Sequence, residues 1–309
     1  MSWRSPSIGT VTIGSDDDLE ARLSAAAAKD AALAPIDWAA LPPEVERDVF
    51  AAPSGPLARI ALGPADGDRV VLMPGMTGSK EDFVRVMPRL AASGYRVESF
   101  DMAGQYESSE AGPPPGGHYT MALFEEDLRA VLASGPAPAH VLGYSFAGTV
   151  AAVVAGRHPE LVRSLTLLST TPRAGQALRA FKVLGPVSGM LPPPALGRLF
   201  VWVLRHNVHR APRDRATFVT ARFARTSVES VIDIFGLMKQ TPDVAPGVRA
   251  AGIPTLVVVG AHDVWPLEAH RAFAAQLGGR LVVLDAGHSP CETAPNQLAE
   301  AMMAFFDAR

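Results

Sequence analysis

The segment His140-Val141-Leu142-Gly143-Tyr144-Ser145-Phe146-Ala147-Gly148 decides the fold. Residues 140–143 form a short apolar run that reads as a buried strand. Residues 146–158 are rich in Ala and Val and read as a helix. A strand that turns sharply into a helix brings its own backbone close, and only small residues leave room. Gly143, Ala147 and Gly148 supply them. The same turn lifts the Ser145 hydroxyl clear of the chain, where it can attack a carbonyl. The helix that starts there aims backbone N–H groups at the point where negative charge develops. A serine ahead of a helix also has a plain reading as an N-cap, so this string is weak outside its strand–turn–helix setting.

Strand-like and helix-like segments alternate on either side of it. Strands are expected over 45–51, 57–62, 69–73, 97–100 and 162–168, and helices over 81–93 and 119–133. The first two strands should pair antiparallel and the third enter a buried parallel sheet. At Pro172 the rhythm breaks. Residues 175–240 hold several helical stretches, punctuated by prolines, and no convincing strand. Alternation resumes with strands at 254–259 and 281–284 and helices at 267–277 and 296–306. This is the pattern of an α/β protein with a mostly parallel, doubly wound sheet and a helical insertion. The expected organisation is a helical extension over 1–43, a core over 44–171 and 247–309, and a cap or lid over 172–246. Within the extension, Ser15 and the acids after it suit a helix start, and the helix should run to about Leu33. It reads as a docking helix on the core, with a dimer contact as the alternative.

Two further segments fit the serine. Asp263 ends Leu256-Val257-Val258-Val259-Gly260-Ala261-His262-Asp263, just past a strand, and His288 lies in Asp285-Ala286-Gly287-His288, just past the next. Loops at the carboxyl ends of parallel strands converge on one edge of the sheet. Ser145, Asp263 and His288 can therefore meet, in the chain order Ser, Asp, His expected of such a sheet. His288 would take the serine proton and pass it to the leaving group, and Asp263 would orient the imidazole. The Gly-bearing turn Pro74-Gly75-Met76-Thr77-Gly78 follows the third strand. It makes the Met76 N–H, with the Phe146 N–H, a candidate donor to an oxyanion.

Taken together, these motifs resemble the α/β-hydrolase family, of the lid-bearing esterase, lactonase and carbon–carbon hydrolase kind, over roughly residues 44–306. The resemblance implies a cofactor-free serine hydrolase that cleaves a small to medium apolar ester or lactone through an acyl-enzyme on Ser145. The same triad serves carbon–carbon hydrolysis, perhydrolysis or acyl transfer in similar families, and a non-catalytic binding protein is the remaining alternative. Two departures stand out. Pro74-Gly75 replaces the usual His-Gly, removing a side chain that commonly supports the oxyanion loop. Ala103-Gly104-Gln105-Tyr106 replaces the usual Arg-Gly-His-Gly, leaving Gln105, Tyr106 and Glu107 as pocket-shaping or ordinary loop residues. Gly75, Tyr144, Tyr106, Trp202 and Trp265 are the candidate pocket residues.

The remaining features narrow the class. The net charge of -3 argues against a general nucleic-acid binder. No apolar run approaches the roughly 20 residues of a membrane span, and residues 1–10 hold no apolar stretch of the length expected of a signal peptide. The expectation is a cytoplasmic monomer or homodimer with a small-molecule substrate. No metal-ligand spacing or nucleotide loop is present. Cys291 reads as a small loop residue, and His140 and Asp101 read as structural. Between Pro172 and Thr226 basic residues outnumber acids by roughly ten to one, Arg173, Arg213 and Arg222 among them. A solvated helix face is the expected reading of that block, with an acidic partner or substrate as the alternative.

Overall fold

The computed structural model of the protein describes residues 17–175 and 213–308. Among these, eight strands form one sheet: β1 (Glu46–Ala52), β2 (Gly55–Leu62), β3 (Arg69–Met73), β4 (Arg96–Phe100), β5 (Ala139–Tyr144), β6 (Val162–Leu168), β7 (Thr255–Gly260) and β8 (Arg280–Leu284). Their order is β1-β2-β4-β3-β5-β6-β7-β8. β2 runs antiparallel to β1 and β4, and every other pairing is parallel. Chain order reverses around β3, which lies between β4 and β5, and such a switch point opens a crevice at the strands' carboxyl ends.

The helices are α1 (Asp17–Ala31), α2 (Met87–Ala92), α3 (Met121–Ala133), α4 (Phe146–Arg157), α5 (Arg213–Arg225), α6 (Val228–Lys239), α7 (Ala245–Ala250), α8 (Leu267–Leu277), α9 (Pro290–Thr293) and α10 (Pro295–Asp307). Both faces of the sheet are covered, which is why β3, β5 and β7 are buried from end to end and read as continuous runs. The two-residue period of a strand splits each run between the faces. Val71, Met73 and Val141 pack with α3 and α4, whereas Val70, Leu72 and Leu142 pack with α1, α2 and α10. α5 and α6 lie in the insertion between β6 and β7. A bridge between Gly175 and Thr241 closes its neck. None of the described helices is long and apolar enough to cross a membrane.

One expected helix is divided. Residues 81–93 form a 3-10 turn at Lys80–Phe83 and then α2, with Pro88 in its first turn. Proline lacks the N–H for an intrahelical bond and clashes with the carbonyl four residues back, so a helix cannot run through residue 88 from 81. Glu81 and Asp82 of the 3-10 turn are buried.

α1 docks within its own chain. Leu19 and Leu23 are buried against α10, Ala26 is buried too, and Arg22 pairs with Glu300. Asp30 accepts from the N–H and side-chain amides of both Asn296 and Gln297. These residues open α10, so the carboxylate meets the positive end of that helix. Asp30→Ala should cost on the order of 1–2 kcal/mol by urea denaturation. A loss below about 0.5 kcal/mol would show that α1 is not anchored through this group.

His140 lies inside the sheet. Its Nδ1 is 2.7 Å from Ser164 Oγ, and its ring stacks on Phe306 at 3.9 Å between centroids. Burial, aided by the Arg163 charge, lowers its pKa to about 4. An unfolded histidine takes its proton near pH 6.5. Between these values the unfolded state binds more protons, so acidification from about pH 6.5 to about 4 removes stability, up to about 3 kcal/mol. His140→Asn should flatten that part of the stability–pH curve, and an unchanged slope would count against the assignment.

Candidate active site

Ser145 sits between β5 and α4 with φ +54° and ψ -119°. An L-residue holds such a conformation only when its surroundings impose it, at a cost of about 1–3 kcal/mol. The Ser145 N–H donates to the Leu168 carbonyl at 2.8 Å, and small residues let the chain close. A Cβ at Gly148 would stand 1.9 Å from Thr170 Oγ1, and one at Gly143 2.5 Å from the Gly148 Cα. The close approaches thus fall on 143 and 148, which explains why alanine is accommodated at 147.

The loop after β7 brings in Asp263 and the loop after β8 brings in His288. The two loops touch, since a Cβ at Gly260 would meet the Gly287 carbonyl at 2.1 Å. His288 Nε2 is 3.2 Å from Ser145 Oγ, and its Nδ1 is 3.2 and 3.3 Å from the two Asp263 oxygens. Asp263 is 1% exposed. Burial pushes its carboxyl up, but His270, His288 and the Trp265 N–H together outweigh this and hold it well below the usual carboxylate range. The Trp265 N–H donates at 2.9 Å. Serine, imidazole and ionised carboxylate are thus in line for proton transfer.

The Gly75 turn abuts the serine: a Cβ on Gly75 would lie 3.1 Å from Ser145 Cβ. Gly78 N–H donates to the Gly75 carbonyl and Thr77 N–H to Gln105 Oε1. Among the described residues the Met76 N–H has no hydrogen-bond partner. Phe146 opens α4, so its N–H belongs to the unpaired first turn.

The other candidate residues take different places. Tyr144 is 8% exposed, its hydroxyl 2.7 Å from Ser289 Oγ and its ring 5.5 Å from that of His288. Through this bond it braces the histidine loop. Trp265 is 1% exposed and packs in the core beside Asp263. Tyr106 is half-buried at the junction with the insertion, edge-on to Phe218 of α5. Trp202 lies outside the described residues. Cys291 is buried in α9, where burial pushes its thiol well above the ordinary range and keeps it neutral. Asp101 is structural: it accepts from the Lys80 N–H at 2.7 Å, from Lys80 Nζ at 3.1 Å and from the Glu107 N–H at 3.2 Å. Burial raises it to about 7 against the pull of Lys80.

Part of the basic insertion corrects the reading of a solvated face. Arg215 and Arg222 of α5 are 8% and 5% exposed and point into the core. Both bind Asp82 Oδ1, at 2.8 and 2.6 Å, and Arg215 also binds Glu292. The inward direction follows from the buried acids beneath them, which a count of charges along one helix does not show. His270 went unnoticed in the sequence reading. It is fully buried on α8, with Nε2 3.9 Å from Asp263 Oδ1. The available signal was its position on the apolar face of that helix, with Phe273, Ala274 and Leu277.

A switch-point crevice holding a half-buried strand-to-helix serine, a histidine and a buried acid defines an esterase-like protein of the α/β-hydrolase class. The model of the alpha/beta hydrolase fold family matches residues 68–226, and the chain belongs to that family. It is 29% identical over 263 residues to a pyrethroid hydrolase of Sphingobium wenxiniae, covering 77% of this chain and 88% of that one. It is also 34% identical over 105 residues to a pimeloyl-(acyl-carrier protein) methyl ester esterase of Neisseria meningitidis, covering 34% of this chain and 38% of that one. Among solved structures, a hydrolase from Pseudomonas aeruginosa superposes with a TM-score of 0.68 at 25% identity, covering 84% of this chain and 98% of that one.

Proposed function

We propose that the protein is a serine hydrolase that cleaves a carboxylic ester or lactone of a small to medium apolar substrate through an acyl-enzyme on Ser145. The single observation that carries this reading is the chain of contacts from Ser145 Oγ through His288 to Asp263. Its similarity to a pyrethroid hydrolase and to a methyl ester esterase supports ester hydrolysis.

His288 Nε2 accepts the serine proton as Oγ attacks the acyl carbon. The carbonyl oxygen becomes an oxyanion facing the Met76 and Phe146 N–H groups. Collapse of the tetrahedral intermediate expels the alcohol, which takes the proton from His288. Water, deprotonated by the same imidazole, then attacks the acyl-enzyme and releases the acid. Asp263 holds the imidazole in one orientation and stabilises its charged form. We assign residues 172–246 as a cap over this crevice, fastened through Arg215 and Arg222.

The test uses a short-chain p-nitrophenyl ester and a fluorophosphonate probe. The expected result is ester turnover with stoichiometric labelling of Ser145, both absent in Ser145→Ala. An unlabelled serine together with no turnover on esters or lactones of graded chain length would sink the assignment.

A further inference from the structure

The turn that presents Met76 is held from outside itself. Gly78 N–H closes it on the Gly75 carbonyl at 2.9 Å, and Thr77, at its third position, has φ +63°. A positive φ there marks a type II turn and favours glycine; threonine, branched at Cβ, disfavours it. The relaxed form for threonine is a type I turn, reached by rotating the Met76–Thr77 peptide. That rotation would swing the Thr77 N–H and the Met76 carbonyl over together, and the turn that carries the Met76 N–H would lose its anchor.

Gln105 opposes it. Its Oε1 accepts from the Thr77 N–H at 2.9 Å, and its Nε2 donates to Ser230 Oγ of α6 at 2.6 Å. Ser230 Oγ lies 3.3 Å from the Ala103 carbonyl, to which it donates. The amide orientation follows from these partners, because the Thr77 N–H can only donate. Gln105 is 0% exposed, so no water replaces either bond. The segment around it is tied to the insertion as well. Ser227 N–H donates to the Gly104 carbonyl at 2.8 Å, and Tyr106 N–H to Thr226 Oγ1 at 3.1 Å.

We propose that Gln105 is a positioning residue for the oxyanion pocket. Its carboxamide holds the Gly75–Gly78 turn in the form that aims the Met76 N–H at the acyl carbonyl, and α6 fixes it through Ser230. Gln105 thereby supports the loop that lacks the usual histidine at position 74. The inference rests on the reading of Ser145 as nucleophile and Met76 N–H as oxyanion donor.

The experiment compares wild type, Gln105→Leu, Gln105→Glu and the double variant Gln105→Leu/Thr77→Gly. The readouts are kcat, KM and the affinity for an alkylboronic acid, which mimics the tetrahedral intermediate on serine. Gln105→Leu should lower kcat about 100-fold with KM within about threefold, and weaken boronate binding in parallel. Adding Thr77→Gly should restore at least about tenfold, because glycine adopts the positive φ without the hydrogen bond. Gln105→Glu keeps the shape and the acceptor and should stay within about tenfold of wild type, which keeps the test open if the leucine variant fails to fold. A purely structural Gln105 would show no rescue by Thr77→Gly and no boronate effect. Either result overturns the proposal, as does a glutamate variant as impaired as the leucine one. The underlying reading fails by a separate sign, activity that persists in Ser145→Ala, and the Gln105 proposal falls with it.

Discussion

Ser145→Ala is expected to lower kcat on a p-nitrophenyl ester by on the order of 10⁶-fold while leaving KM close to wild type. On the proposed mechanism the variant removes the atom that forms the bond to the acyl carbon, so no arrangement of His288 and Asp263 would restore an acyl-enzyme. The oxyanion donors and the crevice remain, and residual turnover should reflect them alone. Stability should hold, because the substitution keeps the side chain's volume nearly unchanged. Ser145→Gly sharpens the expectation. Glycine accepts φ +54° without strain, so this variant should be equally inactive yet more stable, by on the order of 1 kcal/mol. Paired kinetic and denaturation measurements check both. Activity above a few per cent of wild type in Ser145→Ala would remove the nucleophile assignment.

The largest effect on stability is expected at Asp82. Its carboxylate is 2% exposed and accepts from Arg215, Arg222 and the Ser79 N–H. Burial pushes this carboxyl up, but the Arg222 and Arg215 charges outweigh it and hold the carboxyl below its usual range. Asp82→Asn preserves the shape and removes the charge. It leaves two buried guanidiniums with Glu292, a carboxyl that burial itself raises. Breaking such a cluster costs about 3–5 kcal/mol, far more than the pair contributes relative to apolar residues. Urea denaturation should show that loss, and less than about 1 kcal/mol would mean the cluster is solvated. The pH dependence has a fixed sign. The folded pKa lies below the unfolded one, near 4, so the contribution is complete above about pH 4 and disappears as pH falls through the folded value. Since Asp82 joins α5 to the turn beside the oxyanion loop, Asp82→Asn should also reduce kcat.

The strand–turn–helix around Ser145, the order of Asp263 and His288, and the all-apolar β3 and β7 could be read from the chain because each is a local pattern. Turn geometry demands small residues within a few positions, and burial on both faces demands an unbroken apolar run. The parallel sheet then brings those loops to one edge, so three residues distant in sequence become neighbours by topology alone. What only the tertiary structure decided is where polar side chains find partners across long separations. Arg215 and Arg222 look like a solvated helix face until Asp82 and Glu292 are placed beneath them. His270 looks like one more helical residue until α8 turns it toward Asp263. Tyr144 and Trp265 stand near the triad in sequence, but their bonds to Ser289 and Asp263 are visible only in the fold. Gln105 occupies a position where the family's pattern is broken, and its partners, Thr77 and Ser230, come from opposite sides of the sequence. The physical reason is the same throughout. A backbone pattern is specified by neighbours along the chain, whereas a buried hydrogen bond or ion pair is specified by whichever group the fold brings within about 3 Å.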